Sequence, residues 1–115
     1  MLKDLDLNKY TKIYLICGYT DLRMGANGLM NLLQFTYHLD PYDQNAIFLF
    51  CGRRGSVIKG TVWEGDGIVL ITKRLTNGHF QWPRNPDEVK KLTREQFRNL
   101  MQGFAVVSTI RDIPA

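Results

Sequence analysis

The feature that most narrows what this chain can fold into is a hairpin signal in its middle. Two strand-like runs, Val57 to Trp63 and Ile68 to Leu75, flank Glu64-Gly65-Asp66-Gly67. β-Branched and aromatic side chains are frequent in both runs, and such side chains fit a pleated, half-buried surface. Asp-Gly suits the positive φ angles of a tight type I′ turn. With Asp66-Gly67 as a two-residue turn, Gly65 pairs with Ile68, Trp63 pairs with Leu70, and Lys59 faces Arg74. Like charges directly opposite each other repel. This register therefore predicts an anion or a carboxylate beside the Lys59–Arg74 pair. A four-residue turn would shift the ladder, moving Lys59 toward Lys73's side of it or out of pairing.

The hairpin belongs to a longer series. Ala46 to Cys51 is a continuous apolar run, short enough for a buried strand. Asn77-Gly78 is a second hairpin signal, followed by a short strand from His79 to Trp82. These segments predict a meander of four antiparallel strands. Upstream, Lys12 to Cys17 reads as an N-terminal strand ended by Gly18. Thr20 and Asp21 then offer side-chain oxygens to the open N–H groups of a helix start. Leu22, Ala26, Leu29, Met30, Leu33 and Tyr37 fall on one stripe at helical spacing. Gly25 and Gly28 weaken this helix but let it lie close to a sheet or another backbone. Asp40-Pro41-Tyr42-Asp43 is a turn by composition, and Pro83 to Pro86 breaks the sheet. Thr93 and Gln96 form a capping box for a second helix with an apolar face of Phe97, Leu100 and Met101, which Gly103 can end. Phe104 to Ile110 reads as an edge strand or strap. The expected class is α+β: a four-stranded antiparallel meander plus an N-terminal strand, packed by two helices. A flexible polar arm, residues 1–11, precedes a single domain over residues 12–110. The 115 residues suit one domain, and 44% hydrophobic content is enough for one core.

Charge is distributed unevenly. The net charge is +4, and almost all of it sits in the middle third. Residues 53–84 carry six cations (Arg53, Arg54, Lys59, Lys73, Arg74, Arg84) against Glu64 and Asp66 alone. A local positive field attracts polyanions, and nucleic acid is the commonest such partner. The plainer meaning of such a patch is a solvated basic face. Arg53 and Arg54 open the hairpin, while Lys59, Lys73 and Arg74 lie on its strands. Together with Arg23 at a helix start, they are the expected phosphate contacts. Trp63 and Trp82 are candidates for base stacking or for an interface, set against the commoner role of tryptophan in a core.

Other chemistries have less support. Two cysteines, Cys17 and Cys51, are too few for a disulfide scaffold in a chain this short, so free core thiols are expected. Cys17, His38, Cys51 and His79 are spread singly, without the close pairs of zinc motifs. No metal and no cofactor is expected. A metal-dependent nuclease needs several converging carboxylates. Of Asp21, Asp40, Asp43, Glu64 and Asp66, the last two lie in a tight turn where Asp66 has a structural task. No Gly-Lys-Ser/Thr follows a strand, so no P-loop is present. The chain is not expected to be an enzyme. Asp4 and Asp6 interrupt the N-terminus before any signal-like apolar run forms, and no run approaches the ~20 residues of a membrane helix. A soluble protein in a reducing cytoplasm is expected.

The ordered motifs point further. Cys17-Gly18-Tyr19-Thr20-Asp21-Leu22-Arg23 with Gly25 comes first, then Phe48-Leu49-Phe50-Cys51 with Arg53-Arg54. Lys59, Trp63-Glu64-Gly65-Asp66-Gly67, Lys73-Arg74-Leu75, Gly78 and Phe80-Gln81-Trp82-Pro83 complete the set. The combination resembles TnpB, the small accessory protein encoded as the second open reading frame of bacterial insertion sequences of family sixty-six. The similarity runs from about Tyr10 to Phe104. Met24 stands where that family commonly has a second basic residue, and Glu64 where it commonly has Asp. The resemblance implies a mobile-element protein that assists a separate, larger transposase, and it supplies no catalytic residues. The expected partners are therefore DNA at the element ends, the cognate transposase, or both. Three roles follow as alternatives: a DNA-binding accessory factor, an adaptor that touches only protein, and a cryptic metal-dependent nuclease.

Overall fold

Every residue of Ala46–Cys51 (β2) is buried, and the rest of the fold is arranged to cover it. A strand shielded on both faces reads as an unbroken apolar run, as this one does. The structure is a computed structural model that describes residues 10–85 and 88–103. Around β2 it places Lys12–Ile16 (β1), Val57–Trp63 (β3), Ile68–Arg74 (β4) and Val89–Leu92 (β5) in one five-stranded sheet of order β4-β3-β2-β1-β5. Of the helices, Gly25–Asn31 (α1) connects β1 to β2 and Arg94–Met101 (α2) follows β5.

The class is α+β with two helices, but the sheet is mixed. Only β2, β3 and β4 form the expected meander. β1 runs parallel to β2, with Ile13 beside Ile47 and Leu15 beside Leu49. A strand–helix–strand connection makes this possible, because the helix carries the chain back to the starting end of the sheet. β5, which no sequence signal indicated, pairs antiparallel with β1.

The expected fourth strand, His79 to Trp82, is not a strand. β4 and β5 occupy opposite edges, so the segment between them must cross one end of the sheet. Its backbone is tied to that end: the Phe80 N–H donates to the Gly55 carbonyl at 2.7 Å, and the Gly18 N–H to the Pro83 carbonyl at 2.8 Å. Phe80 and Trp82 are buried, and the Trp82 Nε1–H donates to the Ile16 carbonyl at 2.9 Å. Trp82 is thus a core residue, not a base platform.

Two apolar layers flank the sheet. Ile13, Leu15, Ile47, Leu49, Ile58 and Val62 pack with Phe80, Trp82 and the α2 residues Phe97, Leu100 and Met101. Cys17 and Cys51 lie in the same layer as free thiols. On the other face Ile16, Ala46, Phe48 and Phe50 meet Leu29 and Leu33. α2 begins on its capping box: the Gln96 N–H donates to Thr93 Oγ1 at 3.1 Å, and Gln96 Oε1 accepts from the Thr93 N–H at 2.8 Å.

The first helix is shorter than its apolar stripe predicts. Leu22–Met24 forms a 3₁₀ turn, and Gly25, the first residue of α1, separates it from the rest of the helix with φ +75°. Gly28 permits a close approach within the helix, since a Cβ there would stand 2.6 Å from Met24 Cβ. After α1 the chain widens into a π-type turn over Leu32–Thr36, closed by the Tyr37 N–H on the Leu32 carbonyl at 3.2 Å. Residues 1–9 of the expected arm and the expected edge strand or strap from Phe104 to Ile110 lie outside the described residues.

Candidate nucleic-acid interface

The hairpin register differs from the one predicted above. Trp63 pairs with Ile68, and four residues make the turn, with the Glu64 N–H donating to the Gly67 carbonyl at 2.9 Å. Gly65 supplies the positive φ, +97°, so Asp66-Gly67 does not act as a two-residue turn. Lys59 consequently faces Thr72, and Val57 faces Arg74. The shift from the expected pairing is two residues, which preserves the face of every side chain. Lys59 and Arg74 are therefore diagonal neighbours on one face, without the direct like-charge opposition of the predicted register. Lys73 pairs with Ile58 and points to the other face, away from them.

Three segments meet where the parallel strands end. The loop after β1 folds over β2, with the Thr20 N–H donating to the Cys51 carbonyl at 2.9 Å. The β2–β3 turn displays Arg53 and Arg54, and a Cβ on its Gly52 would lie 3.1 Å from Leu22 Cδ1. The ends of β3 and β4 bring Lys59 and Arg74. Asp21, Arg23, Arg53, Arg54, Lys59 and Arg74 all line one open pocket of about 880 Å³. Loops at the carboxyl ends of parallel strands are a common place for ligands in α/β sheets, because the chain diverges there and leaves a crevice.

Asp21 caps the 3₁₀ turn by accepting from the Arg23 N–H at 3.0 Å. The Arg23 guanidinium also reaches it, Nε to Oδ1 at 2.9 Å and Nη2 to Oδ2 at 3.0 Å. These contacts hold the Asp21 carboxyl down at about 2. The Arg23 side chain is 91% exposed, so the pair adds little stability, but it neutralises the pocket's acid. Lys59 Nζ donates to the Leu22 carbonyl at 2.9 Å, which fixes the ammonium at the pocket and leaves it two further N–H donors. Five cations and one paired carboxylate give the lining a net charge of +4. Such a set can bind phosphate through forked guanidinium contacts and one ammonium.

Trp63 lies at the turn end of the hairpin, edge-to-face with Tyr42 at 5.0 Å between ring centroids, and is not among the pocket residues. Two residues without an assigned role in the sequence reading stand at the site. Tyr19 lines the pocket, and the Arg84 guanidinium lies 4.7 Å from its ring centroid. Arg84 belongs to the basic third, and Tyr19 directly precedes the capping pair Thr20-Asp21; the crossing segment brings them together. Burial pushes the Cys51 thiol up to about 11, with the charge of Arg84 opposing. Among the described residues, no group of three or more His, Cys, Asp or Glu is placed to hold a metal ion. No described helix is long and apolar enough to cross a membrane.

Comparison with known proteins places the chain in a family. A family model described as IS66 Orf2 like protein matches residues 11–110. The chain is 36% identical over 94 residues to the uncharacterized protein y4hO of Sinorhizobium fredii, covering 81% of this chain and 80% of that one. It is 35% identical over 84 residues to the uncharacterized protein y4jC of the same organism, covering 73% and 71%. No solved structure matches. The matched span includes every segment of the pocket, and the chain belongs to the family of IS66 Orf2-like proteins, accessory proteins of insertion sequences.

Proposed function

We propose that this insertion-sequence accessory protein is a DNA-associated factor of transposition that grips phosphates in the pocket between β1, β2 and the β3–β4 hairpin. One observation carries the reading. Arg23, Arg53, Arg54, Lys59 and Arg74, chosen from the sequence as phosphate contacts, line a single pocket, and only Lys73 of that set faces elsewhere. Cations gathered from three separate segments make a localised positive field, whereas a solubilising surface would scatter them. In this reading the protein is not an enzyme. It works beside the transposase on the element's terminal DNA, in the bacterial cytoplasm.

Titrating a fluorescent duplex of the element's end at several salt concentrations tests this. Affinity should fall steeply as salt rises, because each neutralised phosphate releases counterions. Reversing both Arg53→Glu and Arg54→Glu should abolish binding. Association that ignores salt, or none at all with the duplex or with either of its separated strands, would sink the proposal.

A second reading, an adaptor for the transposase, has its own support. β4 is one of the two outer strands of the sheet among the described residues, and its Val69 and Leu70 are each 36% exposed. An outer strand has unpaired N–H and C=O groups and can accept a strand from a partner. Pull-down with the transposase in the presence of nuclease separates the readings, since retention without DNA favours the adaptor.

A further inference from the structure

We propose that the pocket takes an unpaired nucleotide, with its phosphate among the cations and its base stacked on Tyr19. The inference rests on the DNA-binding reading and names the form of DNA that the site selects.

Shape is the first argument. A duplex presents its phosphates on a convex surface. The five cations instead line a concavity of about 880 Å³. That volume falls in the range of roughly 300–1,000 Å³ typical of pockets that enclose a small ligand. A nucleotide at a DNA end, or one splayed from the stack, can enter such a pocket, while a paired one meets only its rim.

Tyr19 supplies the second argument. It is 54% exposed although it lines the pocket. Its neighbours on both sides are pinned: the Gly18 N–H donates to Pro83 and the Thr20 N–H to Cys51. The backbone that carries the ring is therefore fixed before any ligand arrives, which lowers the ordering cost of stacking on it. Arg84, next to Pro83, covers one face of the ring at 4.7 Å. A base on the opposite face would complete a guanidinium–phenol–base stack, with the phosphate side of the nucleotide toward Arg53 and Arg54. Stacking tolerates any sequence because every base has a π face. Trp63 and Trp82, the aromatic candidates read from the sequence, are outside the pocket and buried in the core respectively.

The test compares three labelled probes by fluorescence anisotropy: a single-stranded oligonucleotide, a blunt duplex of the same sequence, and that duplex with a short overhang. The single strand and the overhang should bind at least about 10-fold more tightly than the blunt duplex. Tyr19→Ala should weaken single-strand binding by about 5- to 150-fold, the range for loss of one stacked base. Tyr19→Phe should keep it, and a thermal melt checks that both variants fold. An abasic oligonucleotide keeps the phosphates but offers nothing to stack. It should lose affinity for the wild type and not for Tyr19→Ala. Equal binding of all three probes, or a Tyr19→Ala effect that persists on the abasic strand, overturns this inference and leaves the DNA-binding reading standing. A folded protein that binds none of the probes overturns both.

Discussion

On one face of the β3–β4 hairpin, Ile58, Val62 and Ile71 pack with Phe80 and Trp82. On the other face, one residue away along each strand, Lys59, Thr72 and Arg74 line the open pocket. Strand side chains alternate between faces, so a single pair of strands supplies both core and candidate binding surface. Stability should respond to one face and ligand binding to the other, and adjacent residues should fall into different classes.

The core face should give the largest effect. Trp82→Ala removes a buried indole and the hydrogen bond that its N–H donates to the Ile16 carbonyl. A loss of about 3–5 kcal/mol in urea unfolding is expected, typical of a large aromatic deleted from a core. A cost under about 1 kcal/mol would mean that the crossing segment does not close this face. The pocket face should behave in the opposite way. Arg53→Glu with Arg54→Glu should leave the unfolding free energy within about 0.5 kcal/mol of wild type, as is usual for surface changes. The same double change should remove DNA binding. If it unfolds the protein instead, the β2–β3 turn belongs to the scaffold, and the division between faces fails.

This division was partly legible in the sequence. Alternation placed Lys59 and Arg74 on one face, and that survived the wrong register because the error was two residues, an even number. Which glycine would take the positive φ was not legible, since Gly65 and Gly67 both flank Asp66 and either could end the turn. The apolar run from Ala46 to Cys51 identified a buried strand, but not its parallel partner. A strand, a helix and a second strand in succession carry the physical basis of parallel pairing, and the run of hairpin signals downstream outweighed it. β5 has four residues, two of them lysines, and gains its identity from β1, far away in the chain. No local pattern specifies such a strand. His79 to Trp82 shows the converse: a good local strand signal loses to the need to cross from one sheet edge to the other. The pocket joins three segments, so its cations could be named one by one, while their meeting, and that of Tyr19 with Arg84, required the topology.

Neighbouring cations sharpen the comparison at finer scale. Arg74 lines the pocket, and Lys73 faces the other way beside Ile58. Arg74→Ala should weaken DNA binding and lower the slope of log affinity against log salt by about 1, the loss of one phosphate contact. Lys73→Ala should leave both unchanged. Equal effects would mean that the DNA path wraps around the edge of the sheet at β4, and the alternation would no longer separate the two roles.

The smallest effect belongs to the end of the sheet opposite the pocket. There Lys12 Nζ meets Asp43 Oδ2 at 2.7 Å, tying the start of β1 to the turn before β2. The Lys12 ammonium, together with the Asn45 N–H, holds the Asp43 carboxyl below its ordinary value of 3.8. Asp43 in turn raises Lys12 above its ordinary 10.5. The carboxyl favours the folded state fully above pH 3.8 and loses this contribution as pH falls through its lowered folded value. The ammonium contributes fully below pH 10.5 and loses its share as pH rises through its raised folded value. Both side chains are partly exposed, so solvent screens the pair and its contribution is small. Asp43→Asn should therefore lower the urea midpoint slightly at pH 7 and flatten both the acid and the alkaline limbs of the stability profile. DNA affinity at pH 7 should not change, because the pair lies at the far end of β1 from the phosphate-binding cations. A variant that kept its acid limb would assign that limb to another carboxylate, with Asp21 at the pocket the first candidate because its carboxyl is held at about 2. Acid sensitivity would then report on the binding end of the sheet instead of its closed end.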